Sequence, residues 1–308
     1  MNTIKYYIFL VGLAVLMSCN NGSTDTQVTT PEAKENSFSY SPPKAYKDYW
    51  YNGAAEISSY ALSQGRYGEL RDGEAVLVFV TEPFSMEFNT KADSPTSEDP
   101  SVLKLNQTRN FTTGIYPYSM MNSTFFPVEN GLYSLKASSS VQEWCGHVYM
   151  EMANKQDMDF TVNSYFQGET AKLSLTQTDL EDDIYSKIRL QPSLLKQGDF
   201  TMIPAFFYLR LKHVATKAYQ VTASLAAYKD NTSEYRLNYP ELGRTVSITF
   251  QTEFPHIIES WSETFSSGFG SNATAITTTA KRIKTIRSDY WRRNANADSV
   301  LRDSLGLK

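Results

Sequence analysis

"RTVSITFQTE", residues 244–253, sets Val246, Ile248 and Phe250 on one side of an extended chain and Ser247, Thr249 and Gln251 on the other. Side chains alternate across a β-strand, so one side of this segment faces a core and the other faces water. The habit recurs. In "FFYLRLKHV" (206–214), Phe207, Leu209, Leu211 and His213 share a side opposite Tyr208, Arg210 and Lys212, and "AYQVTASLAAY" (218–228) groups Val221, Ala223 and Leu225. "EAVLVFVTE" (74–82) is almost unbroken apolar sequence, as in a central strand covered on both sides. Asp72-Gly73 just before it, and Asn130-Gly131 between "FFPV" and "LYSLKAS", supply the positive φ angles of tight hairpins. About a dozen strands can be drawn from such signals. The class expected is mainly β: an antiparallel curved sheet, an open barrel or a sandwich, with one short internal helix and a C-terminal helix.

The internal helix is expected in "TDLEDDIYSKIRL" (178–190), with Thr178 as N-cap and Glu181 completing a capping box. Asp179, Glu181, Asp182 and Asp183 crowd its first turn, where the helix dipole favours anions, so they read as helix starters rather than metal ligands. The second helix is expected in "TTAKRIKTIRSDYWRRNANADSVLRDSLG" (278–306), where Ile283, Ile286 and Tyr290 recur at helical spacing. Lys281, Arg282, Lys284, Arg287, Arg292 and Arg293 surround them; with Asp289 counted, the local excess is 6 − 1 = +5. A basic amphipathic helix of this kind suits anionic headgroups, an acidic partner or plain solvent.

The chain opens "MNTIKYYIFLVGLAVLMSCNNGS". Lys5 precedes an apolar run from Tyr6 to Met17, too short to span a bilayer and of signal-peptide length. The run ends "LMSC", which resembles the lipobox of bacterial lipoproteins: Leu16, then Ser18 before the cut and Cys19 after it, with Met17 a mild departure. The resemblance implies cleavage between Ser18 and Cys19 and acylation of Cys19; the alternative is an ordinary signal peptide with a chance cysteine. Two buried acyl chains already hold a protein on a membrane stably. The polar stretch "NNGSTDTQVTTPEAKENSFSYSPPK" lacks the apolar residues to fold and reads as a tether with a reach of roughly 28 Å. The expected organisation is a signal peptide at 1–18, a tether at 19–45, a β domain at 46–270 (one unit or two packed halves) and a basic helical segment at 271–308. No acidic run follows Cys19, which leans the expected location to the periplasmic face of the outer membrane. Removing residues 1–18 leaves a charge of 28 − 33 = −5, which argues against a nucleic-acid partner.

"SVQEWCGHVYMEM" (140–152) holds the candidate chemistry. As one strand it puts Glu143, Cys145, His147, Tyr149 and Glu151 on one side, and Trp144, Val148, Met150 and Met152 on a core side. A neighbouring imidazole would lower the thiol pKa, as a cysteine nucleophile requires, although Glu143 orients His147 only by reaching across Cys145. The bland alternative is a structural cysteine. "WCG" lacks the second cysteine of a dithiol motif, because Val148 stands there. His147, His213 and His256 with Cys145 show no zinc-ligand spacing, so neither a metal nor a cofactor is expected. "GFGSNA" (268–273) reads as a loop, and the S-x-x-K matches at Ser101 and Ser193 lack their companion motifs. In "TGIYPYSMMNSTFFP" (113–127), Tyr116, Tyr118, Met120, Met121, Phe125 and Phe126 suit either a core strand pair or the wall of an apolar cavity.

Four stretches together, "YWYNGAAEISSYALSQGRYGELRDGEAVLVFVTEPFS", "TGIYPYSMMNSTFFP", "SVQEWCGHVY" and "MIPAFFYLRL", resemble a family of bacterial lipoproteins of unknown function. Some members carry the label "septum formation inhibitor Maf". True Maf proteins are cytoplasmic nucleotide pyrophosphatases with an N-terminal S-x-S-P-R-R motif, absent here, so the label is a misnomer for this chain. The resemblance implies no catalytic residues. Three readings stand: a non-enzymatic lipid-anchored module that binds or carries an apolar ligand or envelope partner, a cysteine-dependent hydrolase or transferase using Cys145 and His147, and a structural subunit of an envelope complex.

Overall fold

The computed structural model describes residues 40–268, 270 and 273–307. The expected signal peptide, the Ser18/Cys19 cleavage site and nearly all of the tether lie outside the described residues. The tether's last residues are already part of the fold, because helix α1 spans Lys44–Trp50 and buries Tyr46 and Trp50.

Sixteen strands form one large, unclosed sheet. They are β1 (Ala55–Arg66), β2 (Glu69–Ser85), β3 (Thr90–Lys91), β4 (Ser101–Thr113), β5 (Tyr116–Pro127), β6 (Lys136–Glu143), β7 (Gly146–Asn154) and β8 (Met158–Ser164). Then come β9 (Ala171–Leu175), β10 (Asp179–Leu180), β11 (Gly198–Ile203), β12 (Tyr219–Ala227), β13 (Thr232–Tyr239), β14 (Arg244–Gln251), β15 (Ile258–Ser267) and β16 (Thr274–Ser288). The path runs from β10 through β11 to β16, then β1, β2 and β4 to β9, with β3 beside β2. Two meanders are thus joined where the first strand meets the last, Ala55 opposite Ser288. Every pairing is antiparallel except β10 with β11.

Alternation holds where it was cleanest. Arg244, Val246, Ile248 and Phe250 of β14 are buried, as are Val221 and Ala223 of β12. On β2 only one face is core, since Ala75, Leu77 and Phe79 are buried while Val76, Val78 and Val80 are half-buried. The hairpin before that core face turns at Tyr67-Gly68, where φ is 55° and 80°, and not at Asp72-Gly73. Gly73 lies inside β2 because its neighbours come close: a Cβ there would sit 2.3 Å from the Asn110 carbonyl oxygen. Asn130-Gly131 belongs to a longer connection between β5 and β6, in which the Asn130 side chain accepts the Tyr40 N–H at 2.9 Å.

Four short helices interrupt the sheet: α1, α2 (Ile184–Leu190), α3 (Phe206–Lys212) and α4 (Val300–Leu305). Three differ from expectation. The run 206–212 forms a helix whose first six residues are all buried, and six consecutive large residues satisfy a period of two or of 3.6 equally well. Its last turn closes at His213 in the left-handed region, φ 54°. Helix α2 starts at Ile184 without a side-chain cap, while Asp179 and Leu180 pair with β11, so Thr178 and Glu181 form no capping box. The basic helix expected from 278 is mostly strand: β16 pairs with β15 and β1 along both edges, which outweighs the helical spacing of Ile283 and Ile286. Of the expected helical segment, residues 274–288 thus belong to the sheet, and the expected C-terminal helix is the short α4. Arg282 makes a bidentate ion pair with Glu259, Arg287 stacks on Tyr49 at 4.0 Å, and only α4 is helical beyond a few 3₁₀ turns. The C-terminus is held by the Ser59 hydroxyl donating to the Leu305 carbonyl.

The sheet curves around α2, which meets Glu56 of β1, Trp261 of β15 and Phe126 of β5. Apolar residues gather in two clusters. The larger lies around α2, and the smaller under α3 and the inner faces of β6 to β8.

Candidate functional site

The four carboxylates at 179–183 look inward. Asp179 takes Lys187 at 3.0 Å and Lys196 at 2.5 Å. Glu181 receives Arg244 through two bonds of 2.6 and 2.7 Å and the Tyr239 hydroxyl at 2.8 Å. Burial would raise the Glu181 pKa, but the Arg244 guanidinium outweighs it and the pKa is lowered. Asp182 accepts the Phe206 N–H at 2.9 Å, so it caps α3 and not the helix it precedes. Burial pushes Asp182 up to about 8 and Asp183 up to about 6. Each acid has its own partner, and among the described residues no cluster of acids, histidines and cysteine is placed to hold a metal.

Beside this filled interior lies an open apolar cleft of about 470 Å³. Its floor is Val141, Val148, Met150, Val162 and Leu173, from β6 to β9, and its roof is Phe206 and Leu209 of α3. Such a volume lies within the roughly 300–1,000 Å³ of small-ligand sites. The cleft exists because inward positions here are small or branched. The Ser139 hydroxyl at its wall is buried and has no hydrogen-bond partner among the described residues.

A second recess of about 440 Å³ adjoins the cleft, and Arg210 and His213 line both. Arg66, Tyr67, Lys212, Glu143 and Cys145 complete its polar wall. His213 pairs with Glu169 at the rim; burial would raise the Glu169 carboxyl, but His213 and nearby donors leave its pKa lowered.

Glu143, Cys145 and His147 do not share a strand. Glu143 ends β6, His147 follows Gly146 at the start of β7, and Trp144-Cys145 is the turn between them. Trp144 is accordingly 68% exposed at a hairpin tip, not in the core, whereas Val148, Met150 and Met152 are buried as alternation implies. Glu143 accepts the Cys145 N–H at 2.6 Å and raises the thiol pKa, the opposite of what a nucleophile needs. The other groups acting on the thiol are Arg210 and Arg66; His147 pairs across the hairpin with Gln142.

The aromatic run of β5 is split between two faces. Tyr118, Met120 and Phe126 are buried in the larger cluster, Met121 is 41% exposed, and Tyr116 and Phe125 are half-buried, with Phe125 packed on Phe84. None of the six lines the cleft, which lies on the neighbouring strands.

No protein-family model matches the chain, and no curated protein matches it significantly.

Proposed function

We propose that this is a lipid-anchored protein of the bacterial envelope that binds or carries an apolar ligand in the cleft under α3. In this reading Cys19 is acylated after cleavage behind Ser18, the folded part stands on the periplasmic face of the outer membrane, and the resemblance to lipoproteins of unknown function is one of descent. The observation that carries the binding reading is the cleft itself: an apolar wall, an open side at His213, and a buried Ser139 hydroxyl with no protein partner. Apolar walls with few polar groups are what small-molecule sites share.

The cleft reading is tested with the neutral fluorophore N-phenyl-1-naphthylamine on the mature chain. Ala171→Trp places an indole at the half-buried cleft wall on β9 and is expected to abolish the fluorescence gain with an unchanged circular dichroism spectrum. Equal binding by wild type and variant would remove the cleft as the site. The anchor is tested separately, by the mass of the intact protein and by release of Cys19→Ala from membranes.

A further inference from the structure

Two buried arginines around α2 meet carboxylates at hydrogen-bond distance. Arg244 holds Glu181 and Glu263, the latter at 2.6 Å, and Arg189 holds Glu56, whereas Arg109 meets Glu263 only at 3.9 Å. Arg66, in the recess beside the cleft, is also buried and has only neutral partners. The residue is 8% exposed, and its guanidinium donates to the Leu211 carbonyl and to the hydroxyls of Tyr67 and Tyr118 at 3.0 and 3.3 Å. Among the described residues no carboxylate stands within ion-pair distance of it, and its Nε has no partner.

Arg210, also 8% exposed, is little better served. Glu143 and Glu169 stand 3.9 and 4.0 Å away, and each is engaged more closely elsewhere, Glu143 with the Cys145 N–H and Glu169 with His213. Lys212 adds a third cation, anchored to the Ser266 carbonyl at 2.6 Å. Burial and the nearby Arg66 charge lower the Lys212 pKa, as an excess of positive charge in the recess requires. Arg66, Arg210 and Lys212 line the recess with one carboxylate on its wall, Glu143, while Glu169 stands at the rim and Glu263 also acts on Lys212. A buried cation without a counter-ion is costly, and an arginine fork matches the two oxygens of a carboxylate.

We propose that the ligand is a long-chain carboxylate, with its alkyl chain in the cleft and its head between Arg66 and Arg210, beside Lys212. This rests on the cleft reading above and names the ligand class for it. The two spaces share Arg210 and His213 in their walls, and in this proposal one amphiphile spans both.

The test is displacement of N-phenyl-1-naphthylamine from the mature chain by palmitate and by hexadecan-1-ol, which share a chain length and differ in head charge. Palmitate is expected to displace the probe at a concentration about tenfold or more below that of the alcohol, the value of a charged hydrogen-bonded contact. Arg66→Gln should bring palmitate to the level of the alcohol. Lys212→Gln, only partly buried, keeps the fold if Arg66→Gln does not, and should reduce the preference by about threefold. Equal displacement by both amphiphiles in the wild type overturns the carboxylate assignment and leaves the cleft reading standing. A preference undiminished in the folded variants also overturns it. Failure of the probe and both amphiphiles to bind overturns the cleft reading, and the head assignment with it.

Discussion

The interior around α2 and the space under α3 belong to one sheet with one inward alternation, yet one is filled and the other open. Around α2 the inward positions carry Tyr60, Phe79, Tyr118, Tyr235, Tyr239 and Trp261, and Arg244 among them is neutralised within hydrogen-bond distance. Under α3 the strands present Ala137, Ser139, Val141, Val148 and Val162 beside the larger Met150, Met152, Met158 and Phe160. Side-chain volume decides the difference. Large rings reach the helix and exclude water, whereas valines and alanines on the same pleat stop short of it. The charged groups divide similarly: in the closed space Arg244 and Arg189 meet carboxylates directly and Arg109 meets Glu263 at 3.9 Å, while the open recess leaves Arg66 facing neutral oxygens.

This contrast can be broken at its strongest point. Arg244→Ala leaves Glu181 and Glu263 without their shared cation in a dry interior, and should lower stability by about 3–5 kcal/mol in urea denaturation. A loss below 1 kcal/mol, roughly the value of an exposed pair, would mean that water reaches this interior and that the two regions do not differ in kind.

A smaller effect separates two serines. Ser134 is fully buried and its hydroxyl donates to Asp183 at 2.5 Å, so Ser134→Ala should cost about 1.5–3 kcal/mol. Ser139 is almost as buried but faces the cleft without a partner, so Ser139→Ala should change stability by no more than about 0.5 kcal/mol. Comparable losses in the two variants, measured side by side, would show that Ser139 is bonded and the cleft wall closed.

The subtlest test is the pH dependence. Asp182 lies among Glu181, Asp183, Arg109 and the α3 N-terminus, and burial raises its pKa to about 8. The folded chain therefore binds this proton more tightly than the unfolded chain does. Its contribution to stability is complete below about pH 4, the usual aspartate value, and is lost as the pH rises through about 8. Asp183, raised to about 6, acts with the same sign over a lower window, whereas Glu181 and Glu169, with lowered values, lose their contributions as the pH falls through the acid range. Between about pH 6 and 8 the wild type should lose stability relative to Asp182→Asn by about 1 kcal/mol per pH unit. Parallel curves for the two proteins would place Asp182 in contact with water.

Much of this fold is written in local pattern. The strands at 219–227 and 244–251 follow from side-chain alternation alone, and the mainly β class with it, because the pleat has a period of two whatever the strand pairs with. The candidate site was not legible in that way. Its apolar wall is made of unremarkable residues from four strands, and Arg66 lies far along the chain from Arg210 and Lys212. The segments that drew attention for their chemistry, around Cys145 and along β5, prove to be a hairpin tip and a core strand.

What the sequence by itself determined is therefore the alternation, the class and, through "LMSC", the expectation of a lipid anchor. What only the tertiary structure decided is wherever two periods fit one segment or distant residues meet. The run 206–212 became a helix with six consecutive buried residues, and 274–288 a strand because β1, more than 200 residues earlier, offers it a free edge. The pairing of Glu181 with Arg244, and the absence of any such acid beside Arg66, are likewise set by which strands become neighbours. Local sequence specifies a backbone's period, but the counter-ion of a buried charge and the space beside a helix are properties of the assembled whole.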